Sequence, residues 1–402
     1  MSGQAQAPWP NLPEASASQG PGPARPSSGS PDPLKVAWIY DMDACRGPTG
    51  VTRHALAQLE CLARRPEIAL QVVSGRISAS EGLIHWESLG NLARRELPLS
   101  MRNALRVWRT LESPPLEWWS GKIDWAYSPS NYFVATKAAK RAVTCHDMLL
   151  GGPRRMALLA KTYGRADLVL SVSEFNSDRL RETFPHCRDK VVYVPNAADD
   201  YFFEPTPEAE RSRVRADVGL PPEMPYLLSV ANFQPRKNLP KFLRAAGKLE
   251  AVANGELAIV LVGDGNEDHA RAIHQAIAEI GPKAVVKLPG YRQGKALRAI
   301  YAEAKALAFP SLCESFGIPV VEAMAQGVPV ALANSTALPE IAGEAGWYFD
   351  PENEESITAS LWAMLDLDAE RLRRAEVGRN RAAEYRWSLA NDRLVEALQS
   401  RS

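Results

Sequence analysis

The sequence contains no run of about 18 apolar residues, so nothing in it reads as a membrane-spanning helix. It opens without a basic segment leading into an apolar one, so no secretory signal is expected at its N-terminus. Neither sign of charge is in excess, since 47 Lys and Arg residues offset 47 Asp and Glu. A net charge of zero excludes the strongly basic footprint of a nucleic-acid binder, whose affinity comes largely from neutralising phosphates. Cysteine is scarce. Cys45, Cys61, Cys145, Cys187 and Cys313 are odd in number and far apart, with no C-x-x-C pair and no disulfide framework among them. A zinc site is therefore not expected, and a reducing, cytoplasmic setting is.

What remains is a globular composition, 46% hydrophobic and 23% charged over 402 residues, long enough for two or three domains. Eight of the 31 prolines fall in residues 1–33, among Ser, Ala, Gly and Gln. Such a segment buries too little apolar surface to offset chain ordering, so a disordered tail is expected there. From Leu34 the pattern changes. Lys35–Tyr40 reads as a buried strand running into the turn Arg46-Gly47-Pro48-Thr49-Gly50, and a helix follows with Ala55, Leu56, Leu59 and Leu62 on one face. Leu70–Val73, Ala142–Thr144, Leu168–Val172 and Lys190–Val194 continue as strands with helical stretches between them.

Residues 199–224, with prolines and mixed charges, read as a linker. Alternation then restarts with strands at Tyr226–Val230, Leu257–Val262, Val285–Leu288, Ala306–Phe309 and Val328–Leu332. This order predicts two α/β domains with doubly wound parallel sheets, over 34–198 and 225–384, and a terminal helix over 385–402 that returns to the first domain. Ligands of such sheets bind at the carboxyl ends of the strands, so two facing domains would share a site in the cleft between them.

Chemistry concentrates in the segment that follows Phe309. Glu314 sits in a loop, Pro319 suits the first turn of a helix, and Glu322 lies about one turn inside it. The amides of Phe316, Gly317 and Ile318 surround that helix N-terminus, a ready anion site, and Gly317 permits close backbone approach. Two isolated glutamates there would only complement the helix dipole or face solvent. A second element, Gln234-Pro235-Arg236-Lys237-Asn238, follows a strand on what reads as a surface loop, where Arg grips phosphate oxygens in pairs and Lys adds a point charge.

The segment from Glu314 to Glu322 and its flanks resembles the E-x7-E signature of the retaining glycosyltransferases of family 4, the glycosyl transferases group 1, which have the GT-B fold of two facing Rossmann-like domains. Ser229–Leu239 is similar to the family's V-G-x-x-x-P-R-K-N segment, with Ala231 in place of the usual Gly. Leu261–Gly265, Leu288–Tyr291 and Leu338–Gly343 also match in order. The resemblance implies that Glu314 contacts the donor sugar and Glu322 the donor ribose, that Arg236 and Lys237 neutralise the departing diphosphate, and that Gly290 lies against the base. It covers residues 225–350 most closely.

The N-terminal half diverges more. Arg46–Arg53 stands where the family has its first Gly-rich loop, with Thr52 in place of the second Gly; Gly50 is the glycine kept for phosphate approach. Thr144-Cys145-His146-Asp147 resembles the T-x-H-D element, which implies that His146 lines the reaction centre. Trp108, Trp118, Trp119, Trp125 and Tyr132 crowd one region, and Arg102, Arg106 and Arg109 share a helix face. That helix reads either as a peripheral contact with the cytoplasmic face of the inner membrane or as an ordinary core helix with a solvated arginine edge.

The resemblance implies a metal-independent enzyme without a cofactor. It would move a hexose, first mannose from GDP-mannose and next a hexose from a UDP donor, to a saccharide or a polyprenyl-diphosphate-linked saccharide in envelope or exopolysaccharide synthesis. Two other classes compete. A Rossmann oxidoreductase lacks its G-x-G-x-x-G after Tyr40, whereas a non-catalytic nucleotide-sugar-binding subunit would keep the C-terminal motifs.

Overall fold

A computed structural model describes residues 32–40, 50–76, 92–147 and 151–401. The tail expected over 1–33 lies outside them but for its last two residues, as do Arg46 to Thr49 of the first turn and Cys45.

Two parallel sheets carry the chain. The first has strands β1 (Leu34–Tyr40), β2 (Ile68–Ser74), β3 (Ala93–Glu96), β4 (Trp125–Ser128), β5 (Lys140–Cys145), β6 (Leu168–Ser171) and β7 (Val191–Tyr193), in spatial order 3-2-1-4-5-6-7. The second has β8 (Tyr226–Val230), β9 (Ala258–Val262), β10 (Val286–Gly290), β11 (Ala306–Phe309), β12 (Val330–Ala333) and β13 (Gly346–Phe349), in order 10-9-8-11-12-13. Helices cover both faces, so the central strands are apolar throughout rather than alternating. Along β1, Val36, Trp38 and Tyr40 enter one core, while Ala37 and Ile39 enter the core on the opposite face. The second sheet and its helices enclose a single core that includes all of β9 and β11.

Two strands of the first sheet and one of the second were not legible as strands. β3 reads Ala-Arg-Arg-Glu and is exposed along its length, an edge strand guarded by charge rather than marked by apolar residues. β4 (Trp-Ala-Tyr-Ser) and β13 (Gly-Trp-Tyr-Phe) lack the aliphatic run that marks the other short strands. The segment read as a linker is partly helical. Glu208–Asp217 forms a helix whose Val214 is buried in the second core, together with Val218 and Leu220.

The chain crosses between the sheets twice, side by side. Ala198 pairs with Arg386 in an isolated parallel bridge, and the Ala198 N–H donates to the Tyr385 carbonyl at 3.1 Å. After the second crossing the helix Trp387–Ser400 packs on the first sheet's side, with Trp387, Leu394 and Leu398 in the same core as Ala55, Leu59 and Leu62 of the helix Gly50–Ala63. Full burial of each leucine contributes about 1.5–3 kcal/mol, enough to hold the terminal helix there.

In each sheet the strand order reverses at one point, between β1 and β4 and between β8 and β11. Crevices at such reversals, beyond the carboxyl ends of the strands, are where open α/β sheets bind ligands.

Candidate functional site

The chain leaves β11 at Phe309 and reaches the helix Ile318–Ala325 through Gly317, whose φ of +105° is left-handed. A Cβ there would lie 2.9 Å from the Leu338 Cδ2 methyl, which can shift, so it is the left-handed φ that calls for glycine. The first amide bonded back within the turn is that of Val320, to the Gly317 carbonyl at 2.9 Å. The amides of Phe316, Gly317 and Ile318 precede it and form the open end of the helix. Phe316 itself is buried edge-on against Tyr385, ring centres 5.4 Å apart, which ties this turn to the second crossing.

After β8 a short 3-10 turn, Pro235–Lys237, delivers the basic pair beside Glu314. Lys237 Nζ donates to Glu314 Oε1, and an Arg236 guanidinium nitrogen lies 3.3 Å from the same oxygen and donates to the Cys313 carbonyl at 3.2 Å. The surface-loop reading of Lys237 is corrected here. Its residue surface is only 7% exposed, and its ammonium lies 5.2 Å from the centre of the Phe309 ring. Burial alone would raise the Glu314 carboxyl, but Lys237 and then Arg236 outweigh it and hold the group below the usual carboxylate range.

The first sheet supplies the opposite wall. A Cβ on Gly50 would lie 3.7 Å from Ile318 Cδ1, so the starts of the helices Gly50–Ala63 and Ile318–Ala325 face each other across the cleft. Beyond β5, the Ser315 hydroxyl lies 3.5 Å from Asp147, bringing His146 and Asp147 to the Glu314 loop. His146 Nε2 is 2.8 Å from the Pro129 carbonyl. A carbonyl only accepts, so Nε2 carries the proton and Nδ1 is left with a lone pair for an incoming hydroxyl.

Burial drives His146 down to about 4, against the opposing pull of the Pro129 carbonyl and Asp147. His54, edge-on to it at 4.5 Å, is held well below 6.5 by burial and then by His146. The neutral imidazole is therefore the folded form. The unfolded chain protonates first, so His146 contributes fully above about pH 6.5, the ordinary value, and loses that contribution as pH falls toward 4. The thermal midpoint is expected to drop across this window, and less steeply in His146→Gln. Equal slopes for parent and variant would remove His146 as a source.

Glu322 does not face an open cleft. Its side chain is 1% exposed, with Oε1 taken by Arg53 at 2.6 Å and Oε2 by the Tyr301 hydroxyl at 2.8 Å. Arg53 reaches it from the first turn of the helix Gly50–Ala63 and also pairs with Asp199 at 3.0 Å. From the sequence Arg53 reads only as part of the turn after β1; its role comes from the fold. One signal was available: a cation in a helix's first turn opposes the dipole, which points to an anion facing it. Asn196, which accepts from His54 Nδ1 at 2.7 Å, and Tyr301 carried no such mark.

Gly290 ends β10 with a φ of +82°, and its carbonyl accepts from Gly263. Glu340 adds a further span of the cleft, its two oxygens accepting from the backbone N–H groups of Glu174 and Phe175 at 2.8 Å each. The aromatic cluster in the first domain is not one surface. Trp108 and Trp125 are buried, and the Trp108 indole donates to the Pro114 carbonyl at 2.7 Å. Arg102, Arg106 and Arg109 are exposed on the other side of the helix Met101–Leu111, and Trp118 is 72% exposed nearby in the chain. Among the described residues no helix is long and apolar enough to cross a membrane.

Residues 48–201 match the family model described as Glycosyltransferase Family 4, and residues 210–381 that described as Glycosyl transferases group 1. The O-antigen chain mannosyltransferase B of Escherichia coli is 27% identical over 287 residues, covering 69% of this chain and 74% of that protein. A D-inositol 3-phosphate glycosyltransferase of Corynebacterium aurimucosum is 27% identical over 289 residues, 69% of this chain and 68% of that one. Among solved structures, sucrose-phosphate synthase from Thermosynechococcus elongatus superposes with a TM-score of 0.74 at 16% identity, over 91% of this chain and 98% of its own. Anabaena HepE in complex with UDP and glucose gives 0.73 at 17%, over 91% and 100%. These likenesses establish the GT-B architecture.

Proposed function

Because the chain belongs to the glycosyl transferases group 1, with the family 4 model matching its first half, we propose that it is a retaining hexosyltransferase. Its donor is GDP-mannose and its acceptor a saccharide, free or lipid-linked, in the assembly of a surface polysaccharide. The observation that carries this reading is the meeting of Glu314, Arg236 and Lys237 beside the open helix end at Phe316–Ile318, with His146 and Asp147 brought to the same loop. Mannose is favoured over other hexoses by the E. coli O-antigen mannosyltransferase among the relatives.

The proposed chemistry follows from these groups. Arg236 and Lys237 carry five and three N–H donors, so engagement with Glu314 leaves donors for a diphosphate. Together with the helix-end amides they would stabilise negative charge as it grows on the leaving group, commonly the largest catalytic contribution. That charge is supplied without a metal. No side chain is assigned as nucleophile or general base; attack comes from the face the diphosphate leaves, and its oxygen takes the acceptor proton. His146 Nδ1 accepts from a donor sugar hydroxyl. Glu314 positions the sugar, and Glu322 binds the ribose diol.

A thermal-shift screen against GDP, UDP, ADP and their sugars tests the donor. Stabilisation by GDP and GDP-mannose is expected; stabilisation by UDP compounds alone would replace mannose with a UDP-linked hexose. Sugar transfer from the bound donor, as against binding alone, separates an enzyme from a binding subunit. For the ribose contact, Glu322→Ala is expected to weaken nucleoside diphosphate binding about tenfold or more, since a charge-assisted hydrogen bond contributes about 1.5–3 kcal/mol. Titration calorimetry reads this directly, and parental affinity would end the assignment.

A further inference from the structure

The network around Glu322 reaches well beyond one ion pair. Arg53 rises from the first domain and holds two carboxylates at once, Glu322 at 2.6 Å in the second domain and Asp199 at 3.0 Å at the first crossing. Asp199 is itself fixed by the Trp387 indole at 3.0 Å, just past the second crossing, and by the Tyr201 hydroxyl at 3.1 Å. Both crossings are thus joined through one guanidinium to the carboxylate read as the ribose ligand. A carboxylate has lone-pair sites for more than two partners. Glu322 nevertheless offers none to a ligand in this arrangement, because its side chain is 1% exposed behind Arg53 and Tyr301.

We propose that Arg53 is a latch on the nucleotide site: it occupies the ribose position on Glu322 when no nucleotide is bound, and the ribose diol must displace it. This inference rests on the reading of Glu322 as the ribose ligand. On displacement Arg53 keeps Asp199, so its charge stays at the crossing while its link between the two domains is broken. Nucleotide occupancy is thereby coupled to the two segments at which the chain crosses between the domains. The apparent affinity of the protein is that of the unlatched site multiplied by the fraction of molecules in which Arg53 stands aside. Arg53 thus sets affinity by competing with the ligand rather than by touching it.

Calorimetric titration of whichever of GDP, UDP or ADP the parent protein binds tests the latch, with the full chain as parent, Arg53→Gln, Glu322→Ala and the double variant. Arg53→Gln is expected to bind at least threefold tighter than the parent. In the Glu322→Ala background the same substitution is expected to change nothing, because Arg53 acts only through that carboxylate. A merely structural arginine would not produce a gain that disappears in this way. Unchanged or weaker binding by Arg53→Gln, with Glu322→Ala impaired, overturns the latch and leaves the ribose assignment standing. Parental affinity in Glu322→Ala overturns the ribose assignment itself. If Arg53→Gln does not fold, Arg53→Lys carries the same comparison with the same expected sign, since one ammonium does not span both carboxylates as the guanidinium fork does.

Discussion

Lys237→Ala is expected to lower sugar transfer about a hundred- to a thousandfold, because losing one preorganised group that meets developing charge costs on the order of 2.7–4 kcal/mol. The same substitution is expected to lower the thermal midpoint. Lys237 is buried, packs near Phe309 and donates to Glu314, which loses that donor and keeps Arg236 at 3.3 Å when the ammonium is gone. Leaving a buried polar group short of a partner costs about 1–3 kcal/mol. Both effects are separable: transfer from a radiolabelled donor, measured well below the lowered midpoint, isolates the catalytic loss. Assays with added magnesium and with chelator complete the test. Full activity in Lys237→Ala, or strict dependence of the parent on metal, would exclude a clamp made of side-chain charge.

Glu314→Gln is expected to separate turnover from nucleotide binding. Turnover should fall about a hundredfold, through loss of a charged contact that matters most with the sugar in place. Nucleoside diphosphate affinity should stay equal or rise. Arg236 and Lys237 both spend donors on Glu314 in the free protein, and a neutral amide releases them toward phosphate oxygens. Lost nucleotide affinity in step with lost turnover would mean that Glu314 holds the basic turn in place and does nothing to the sugar.

The alternation of strands and helices was legible because parallel strands covered on both faces leave continuous apolar runs, as in Ala258–Val262. An exposed, charged strand such as β3 leaves none, while β4 (Trp-Ala-Tyr-Ser) and β13 (Gly-Trp-Tyr-Phe) carry Ser or Gly and aromatics in place of an aliphatic run. The placing of Glu314 beside Arg236 and Lys237 follows from two motifs that each end a strand next to the same reversal of strand order, so their meeting could be read from order alone. The burial of Lys237 could not. Two consecutive basic residues after a strand read as solvated, and only the Glu314 carboxylate, 77 positions away, makes burial of the ammonium tolerable. Arg53 and Tyr301 carry less of a mark for a related reason: Arg53 meets Glu322 from the other domain, and Tyr301 meets it from a neighbouring helix 21 positions away.

The Glu340 bridge has a consequence for measurement. Glu174 and Phe175 begin the helix Glu174–Thr183, where backbone N–H groups have no acceptor within their own helix. Theirs is a carboxylate on the other domain. Exchange of these two protons with deuterated solvent is therefore gated by separation of the domains rather than by fraying of the helix. Their protection factors convert to the free energy of parting the two halves, and the helix interior, which carries its own bonds, serves as the internal reference.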